Sequence, residues 1–213
     1  MTALGVSFIT KAQLGTSPIS SVPYVLSMGL PLTMGTFTFI LNMVLIAGQV
    51  MVLQKDFKKI QLVQIPVSVV FGYFIDFTMS LLSFLNPTFY TIKIFFLLTG
   101  CIILALGISI QVIADVVMLS AEAFVKGISL KYNKEFGTTK VFFDATLVVI
   151  SVTISLLLLH KIEGIREGTI IAALVVGFIA RFFCRRLGVI SSKLLMEAAP
   201  LEKGKSVEAS GVL

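Results

Sequence analysis

Apolar residues fall in six stretches, 3–14, 32–53, 65–85, 94–113, 141–159 and 169–183, bounded by charge or by Pro/Gly punctuation. Lys55-Asp56-Phe57-Lys58-Lys59 closes the second, Asn86-Pro87 the third, Asp115 the fourth, His160-Lys161 the fifth and Arg185-Arg186 the last. A helix needs about 20 mostly apolar residues to cross a bilayer. Five stretches reach that length with their flanks, and the first falls short. The pattern predicts an all-α polytopic membrane protein with about six transmembrane helices, the first one short or truncated.

Composition narrows this further. Of 213 residues, 57% are apolar and 13% charged, against roughly 45–50% and 25% in soluble domains. One transmembrane domain over 1–196 accounts for nearly all of the chain, and no room is left for a water-soluble catalytic domain. No enzyme is expected, and no segment reads as a cleavable leader. Residues 197–213 are polar, contain Pro200 and lack a helical period, which predicts a disordered cytoplasmic tail. Two cysteines, Cys101 and Cys184, and one histidine are too few for a disulfide framework, a metal site or a haem, so no cofactor is expected. The net charge of +6 would suit nucleic acid in a soluble protein. In a membrane chain its distribution matters more, and no nucleic-acid partner is expected.

Lysine and arginine collect on the cytoplasmic side of membrane proteins. With the N-terminus inside, cytoplasmic segments hold Lys55, Lys58, Lys59, Lys126, Lys131, Lys134, Lys140, Arg185, Arg186, Lys193, Lys203 and Lys205. The outer segments hold Lys93, Lys161 and Arg166. Twelve against three predicts that both termini are cytoplasmic.

An internal repeat underlies the spans. Ala3-Leu4-Gly5-Val6-Ser7 returns as Ala105-Leu106-Gly107-Ile108-Ser109, a shift of 102. At that shift Met34-Gly35-Thr36 meets Phe136-Gly137-Thr138, and Asn42 meets Asp144. A few residues out of step, Val70-Phe71-Gly72-Tyr73-Phe74 matches Val175-Val176-Gly177-Phe178-Ile179. Ten of the first 51 aligned positions are identical; composition explains some of that, but less easily the gap-free return of Gly-Thr. Each unit holds three spans, an odd number, so the second enters from the opposite face. The expectation is two inverted three-helix repeats, 1–90 and 91–196, as in many secondary transporters that bind substrate near the midplane. Architecture alone does not establish transport. The fourth span begins near Ile92, whose mate would precede Met1 by ten residues, which predicts a truncated first helix or an upstream start.

After the first stretch, Ser17-Pro18 reads as an N-cap followed by proline at the first helical position. The uncharged, hydroxyl-rich segment that follows suits a half-helix dipping into the membrane, with Thr16, Ser17 and Ser20 as candidate substrate contacts. An ordinary outer loop with an interfacial helix is the alternative. Lys11 and Gln13 would line the outer vestibule of the half-helix arrangement. The matching segment, from Ser120, carries Glu122 and Lys126 at i,i+4 and reads as a cytoplasmic interfacial helix capped by Ser120.

Charges at membrane depth are functional candidates because they are costly there. Asp76 lies near the middle of the third stretch, as a coupling carboxylate or as a carboxyl bonded to a neighbouring helix. Asn42 and Asp144 occupy matched positions, either flanking a site or cementing helices. Arg181 either snorkels to the interface or pairs with Asp115 or Asp144. His160 reads as a solvated loop residue.

Leu14-Gly15-Thr16-Ser17-Pro18-Ile19-Ser20-Ser21, Met34-Gly35-Thr36-Phe37, Gln64-Ile65-Pro66-Val67, Phe71-Gly72-Tyr73-Phe74-Ile75-Asp76 and Gly164-Ile165-Arg166-Glu167-Gly168-Thr169 resemble the YczE/YyaS/YitT-like bacterial integral membrane proteins. The resemblance runs to about Phe183. It implies a multi-pass protein of the bacterial inner membrane, in a family without an established biochemical activity. Members usually carry Pro or Gly in the second loop, where this chain has Met118-Leu119-Ser120-Ala121.

The first functional expectation is a small-solute transporter of unknown substrate. The others are an accessory factor docking a protein partner through Lys-rich cytoplasmic loops, and a ligand-capturing subunit of a multi-component importer. The expected partners are the lipid bilayer, a small solute, and a protein partner or a second copy of the chain.

Overall fold

The computed structural model describes residues 1–54, 57, 59–114, 118–179 and 182–183. Asp115, Arg181 and the 197–213 segment lie outside the described residues. The helices are α1 Thr2–Lys11, α2 Pro18–Gly29, α3 Met34–Leu53, α4 Gln64–Leu81, α5 Tyr90–Ala114, α6 Ser120–Lys131, α7 Phe136–Leu159 and α8 Glu167–Ile179. A 3-10 turn, Lys59–Val63, leads into α4. No strand occurs among the described residues.

Four segments are long and apolar enough to cross a membrane: Met34–Leu53, Ile60–Leu81, Tyr90–Gln111 and Thr138–Leu159. They correspond to the second to fifth predicted stretches. The first predicted stretch is a shorter helix, α1, and the described part of the sixth is α8, so the described residues hold four candidate spans.

Polarity is distributed inside-out. Val69, Tyr73, Phe77 and Leu81 form an exposed stripe along α4, and Ile170, Leu174 and Phe178 form another along α8. Residues four apart share one helix face, and bare apolar faces of this extent need an apolar surrounding. Meanwhile Ser7, Thr16, Ser21, Gln49, Ser109 and Ser120 are fully buried. Hydroxyls and amides inside, joining helices by hydrogen bonds, with apolar side chains outside, suit a lipid solvent. The chain is a membrane protein.

The shortest helix is central. Ala3, Val6 and Ile9 of α1 form the core with Leu97, Cys101 and Leu104 of α5 and Ile75 of α4. Glycine makes this possible. A Cβ on Gly5 would lie 2.6 Å from the Leu104 amide nitrogen, and one on Gly107 would lie 2.9 Å from that of Thr2. The two helices therefore meet closely at the glycines, with the Leu104 Cβ and the Thr2 methyl reaching toward the space a Cβ would occupy, a common device where helices associate in lipid. By contrast, Val141, Phe142, Val149 and Leu157 of α7 are exposed, leaving most of that helix facing outward.

Two short helices fill the remaining space. α2 packs on α3 and α7, while α6 packs on α7 and α3. The first half of α2 is enclosed, with Pro18, Ser20, Ser21, Val22 and Pro23 all buried, which suits an inserted half-helix better than an exposed interfacial one. α6 departs from its surface reading. Leu119 rather than Ser120 is its N-cap. The Ser120 hydroxyl instead lies 3.2 Å from that of Ser68 on α4, and its carbonyl accepts from Gln49 Nε2 of α3 at 3.0 Å. Glu122 is buried while Lys126 is exposed, so the expected surface pair does not form. Enclosure by α3 and α7 turns the Glu122 face of α6 inward.

Candidate functional site

Thr16, Ser17 and Ser20 come together at the start of α2. The Thr10 and Thr16 hydroxyls are 2.9 Å apart, and Ser17 donates to Ser20 Oγ at 2.9 Å. The Thr16 amide donates to Thr169 Oγ1, at the first turn of α8, at 3.2 Å. Ser17 sits at the N-cap position, but its side chain makes no capping bond to the helix backbone. Pro18 at the first position has no N–H to satisfy, as expected for that site.

Glycine joins this cluster to the connector before α8. Gly15 has φ +112°, a conformation open to glycine, and a Cβ there would collide with the Thr169 hydroxyl and approach the Arg166 amide to 2.9 Å. The Gly168 amide donates to the Leu14 carbonyl at 2.8 Å. These bonds link segments about 150 residues apart in sequence, and no pattern local to either segment announces them. Thr169 and Thr10 were therefore not selected from the sequence; the only signal was that the Gly164–Thr169 motif is one of those carrying the family resemblance.

Beside this junction lies a cavity of about 360 Å³ lined in part by Gln13, Gly15, Tyr24, Lys161, Glu163 and Arg166. Gln13 organises its rim. Its side chain donates to Asn86 Oδ1 at 2.6 Å and accepts from Lys93 Nζ at 3.1 Å. Lys161 and Glu163 are ion-paired. Gln13, Lys93, Lys161 and Arg166 all belong to segments that the charge distribution assigns to the outer side or its edge. Neither Asp76 nor the hydroxyls of Thr16, Ser17 and Ser20 line this cavity.

Asp76 is engaged elsewhere. Its Oδ1 accepts the Gly35 amide at 2.7 Å, and its Oδ2 accepts the Thr33 hydroxyl at 2.6 Å. Thr33 is the N-cap of α3, so a carboxylate from α4 sits on the positive end of α3, where a negative charge is favoured. The close approach depends on Gly35 and Gly72, because a Cβ on Gly35 would overlap the Gly72 carbonyl. Asn42, on α3, is buried, and its Nδ2 has no hydrogen-bond partner.

Asp144 lies on α7. It accepts from Lys140 Nζ at 2.8 Å, one helical turn away on α7. Lys140 also stands over the Phe143 ring, 5.5 Å from its centre. Glu122 of α6 feels both charges. Sequence reasoning placed Glu122 on the surface because the i,i+4 rule considers only its own helix.

The model of DUF6198, a family of unknown function, matches residues 1–185. The chain belongs to this family. No curated protein and no solved structure matches it. Within DUF6198 the site must therefore be read from its own chemistry: neutral hydroxyls and amides at the α2 end, a carboxylate holding α3, and a charged trio between α6 and α7. No group of three metal-ligating side chains occurs among the described residues.

Proposed function

We propose that the protein is a small-solute transporter of the bacterial inner membrane, not an enzyme, with two inverted three-helix repeats and both termini in the cytoplasm. One observation carries this reading: contacts exchange under the 102-residue shift. Gly5 lies against Leu104, and Gly107 lies against Thr2; each pair is the repeat mate of the other. α2 and α6 begin and end 102 residues apart, and each packs on its own following helix and on the long helix of the other half. Reciprocal exchange of this kind is what a two-fold axis produces.

In this arrangement α2 enters from the outer face and α6 from the cytoplasmic face. The solute passes between the halves. Thr16, Ser17, Ser20 and the unpaired Asn42 amide offer neutral hydrogen bonds, and the cavity at Gln13 and Arg166 forms the outer mouth. The bacterial inner-membrane address is supported by the resemblance to the YczE/YyaS/YitT-like proteins.

A thermal-shift screen of the detergent-purified protein against a metabolite panel tests the reading. A ligand at about 100 times its Kd stabilises by roughly 2.7 kcal/mol. The expected outcome is a metabolite that raises the melting temperature of the wild type but not of Thr16→Val or Asn42→Leu. No stabilising metabolite, or one whose effect survives both substitutions, would count against a solute site here.

A further inference from the structure

We infer that the Glu122 carboxyl, enclosed between α6 and α7 beside the Lys140–Asp144 pair, is a proton-binding site that holds one proton at neutral pH. Glu122 is 8% exposed, and its Oε2 is buried with no hydrogen-bond partner. The surroundings decide what can fill that vacancy.

α6 packs on α3 and α7. α3 carries no ionisable side chain along Met34–Leu53, and the nearby α4 residues Gln64 and Ser68 are neutral. α7 contributes Lys140 and Asp144, bonded to each other at 2.8 Å. On α6 itself, Lys126 is exposed and Lys131 donates to the Val52 carbonyl. Phe124 of α6 and Phe143 of α7 also meet at this seam, their rings 5.6 Å apart.

Among the described residues, two carboxylates and one ammonium leave a net negative charge here. The ammonium is already committed to Asp144, so an ionised Glu122 would be a buried charge held directly only by its own backbone amide, with Oε2 left bare. Such a charge costs several kcal/mol even after relaxation. A proton on Glu122 makes the trio neutral. A metal cation would need several oxygen ligands, yet Lys140 occupies the second carboxylate. The repeat mates of Glu122, Lys140 and Asp144 are Ser20, Thr38 and Asn42, all neutral, so the titrating site exists in one half only. As the coupling ion of a transporter the proton rests on the preceding reading; as a bound proton it does not.

Infrared difference spectroscopy in lipid vesicles at neutral pH, in H₂O and D₂O, tests the site. The expected result is a protonated-carboxyl C=O band that shifts in D₂O, is retained in Asp144→Asn and is lost completely in Glu122→Gln. Because Gln copies the neutral acid, Glu122→Gln should melt at or above the wild-type temperature. A missing band, a band that survives Glu122→Gln, or a Glu122→Gln protein that fails to fold would overturn the inference. So would a Na⁺-dependent rise in wild-type melting temperature that Glu122→Gln abolishes, since that assigns a metal ion. Loss of the band in Glu122→Gln with no metabolite binding would keep the proton site and remove the transporter reading.

Discussion

Asp76 shows how far a single residue can be read without its neighbours. A carboxylate within an apolar run is conspicuous in sequence, and its placement on α4 was legible. Its partners were not: Thr33 and Gly35 are 43 and 41 residues away, and hydrophobicity carries no record of pairing across helices. The geometry makes a specific demand. Asp76→Ala removes the acceptor of the Gly35 amide and of the Thr33 hydroxyl, and should cost about 1–2 kcal/mol, the usual value of a lost N-terminal cap. Asp76→Asn keeps one carbonyl acceptor and should lose less. Thermal unfolding in detergent separates the two. Equal losses would show that the charge, rather than the acceptor, holds the start of α3.

Among the helices, length proved a poor guide to burial. The apolar runs marked α3, α4, α5 and α7 correctly because bilayer thickness sets a minimum that composition can meet. The same criterion undervalued α1, whose small residues allow it to sit at the centre. Ser17-Pro18 located the start of α2 because both residue types have a local backbone reason to be there. Glu122 was misjudged because a rule for one helix surface cannot see α7. Glycine substitutions test the packing. Gly5→Leu should markedly lower the melting temperature, because even a Cβ meets the Leu104 backbone at 2.6 Å. Gly177→Ala meets nothing within 4 Å and should be neutral or stabilising by up to about 1 kcal/mol from helix propensity alone. A comparable loss in both would remove the contact-based account of α1 against α5.

For the whole molecule, the class was visible in composition, and the 102-residue shift on which the proposed repeat rests was visible in a few glycines and hydroxyls. The reciprocal contacts were not, since they depend on which faces meet. Orientation can be mapped with single cysteines in a background where Cys101 and Cys184 are replaced by serine. Cysteines at Phe57 and Asn133 should react with an impermeant reagent from one side of the membrane, and those at Asn86 and Glu163 from the other. Labelling of Phe57 and Asn133 positions from opposite sides would break the inverted arrangement. The charged trio allows a second test. Lys140→Thr leaves Asp144 without its cation and should destabilise by up to about 3 kcal/mol, below the 3–5 kcal/mol of a fully enclosed pair because the side chains keep 24% and 19% of their exposure. Combining it with Glu122→Ser and Asp144→Asn copies the residues of the first half and should recover most of that loss in the same unfolding measurement.

The seam between α1 and α5 has a mechanical consequence. At Gly5 and Gly107 the facing helix fills the hollow that the glycine leaves: the Leu104 Cβ and the Thr2 methyl stand 2.8 and 2.6 Å from where a Cβ would be. Such a line resists sliding as well as separation, because each filled hollow must empty before the helices can shift. It is a lock more than a bearing, and one added methyl group at either glycine would act as a wedge.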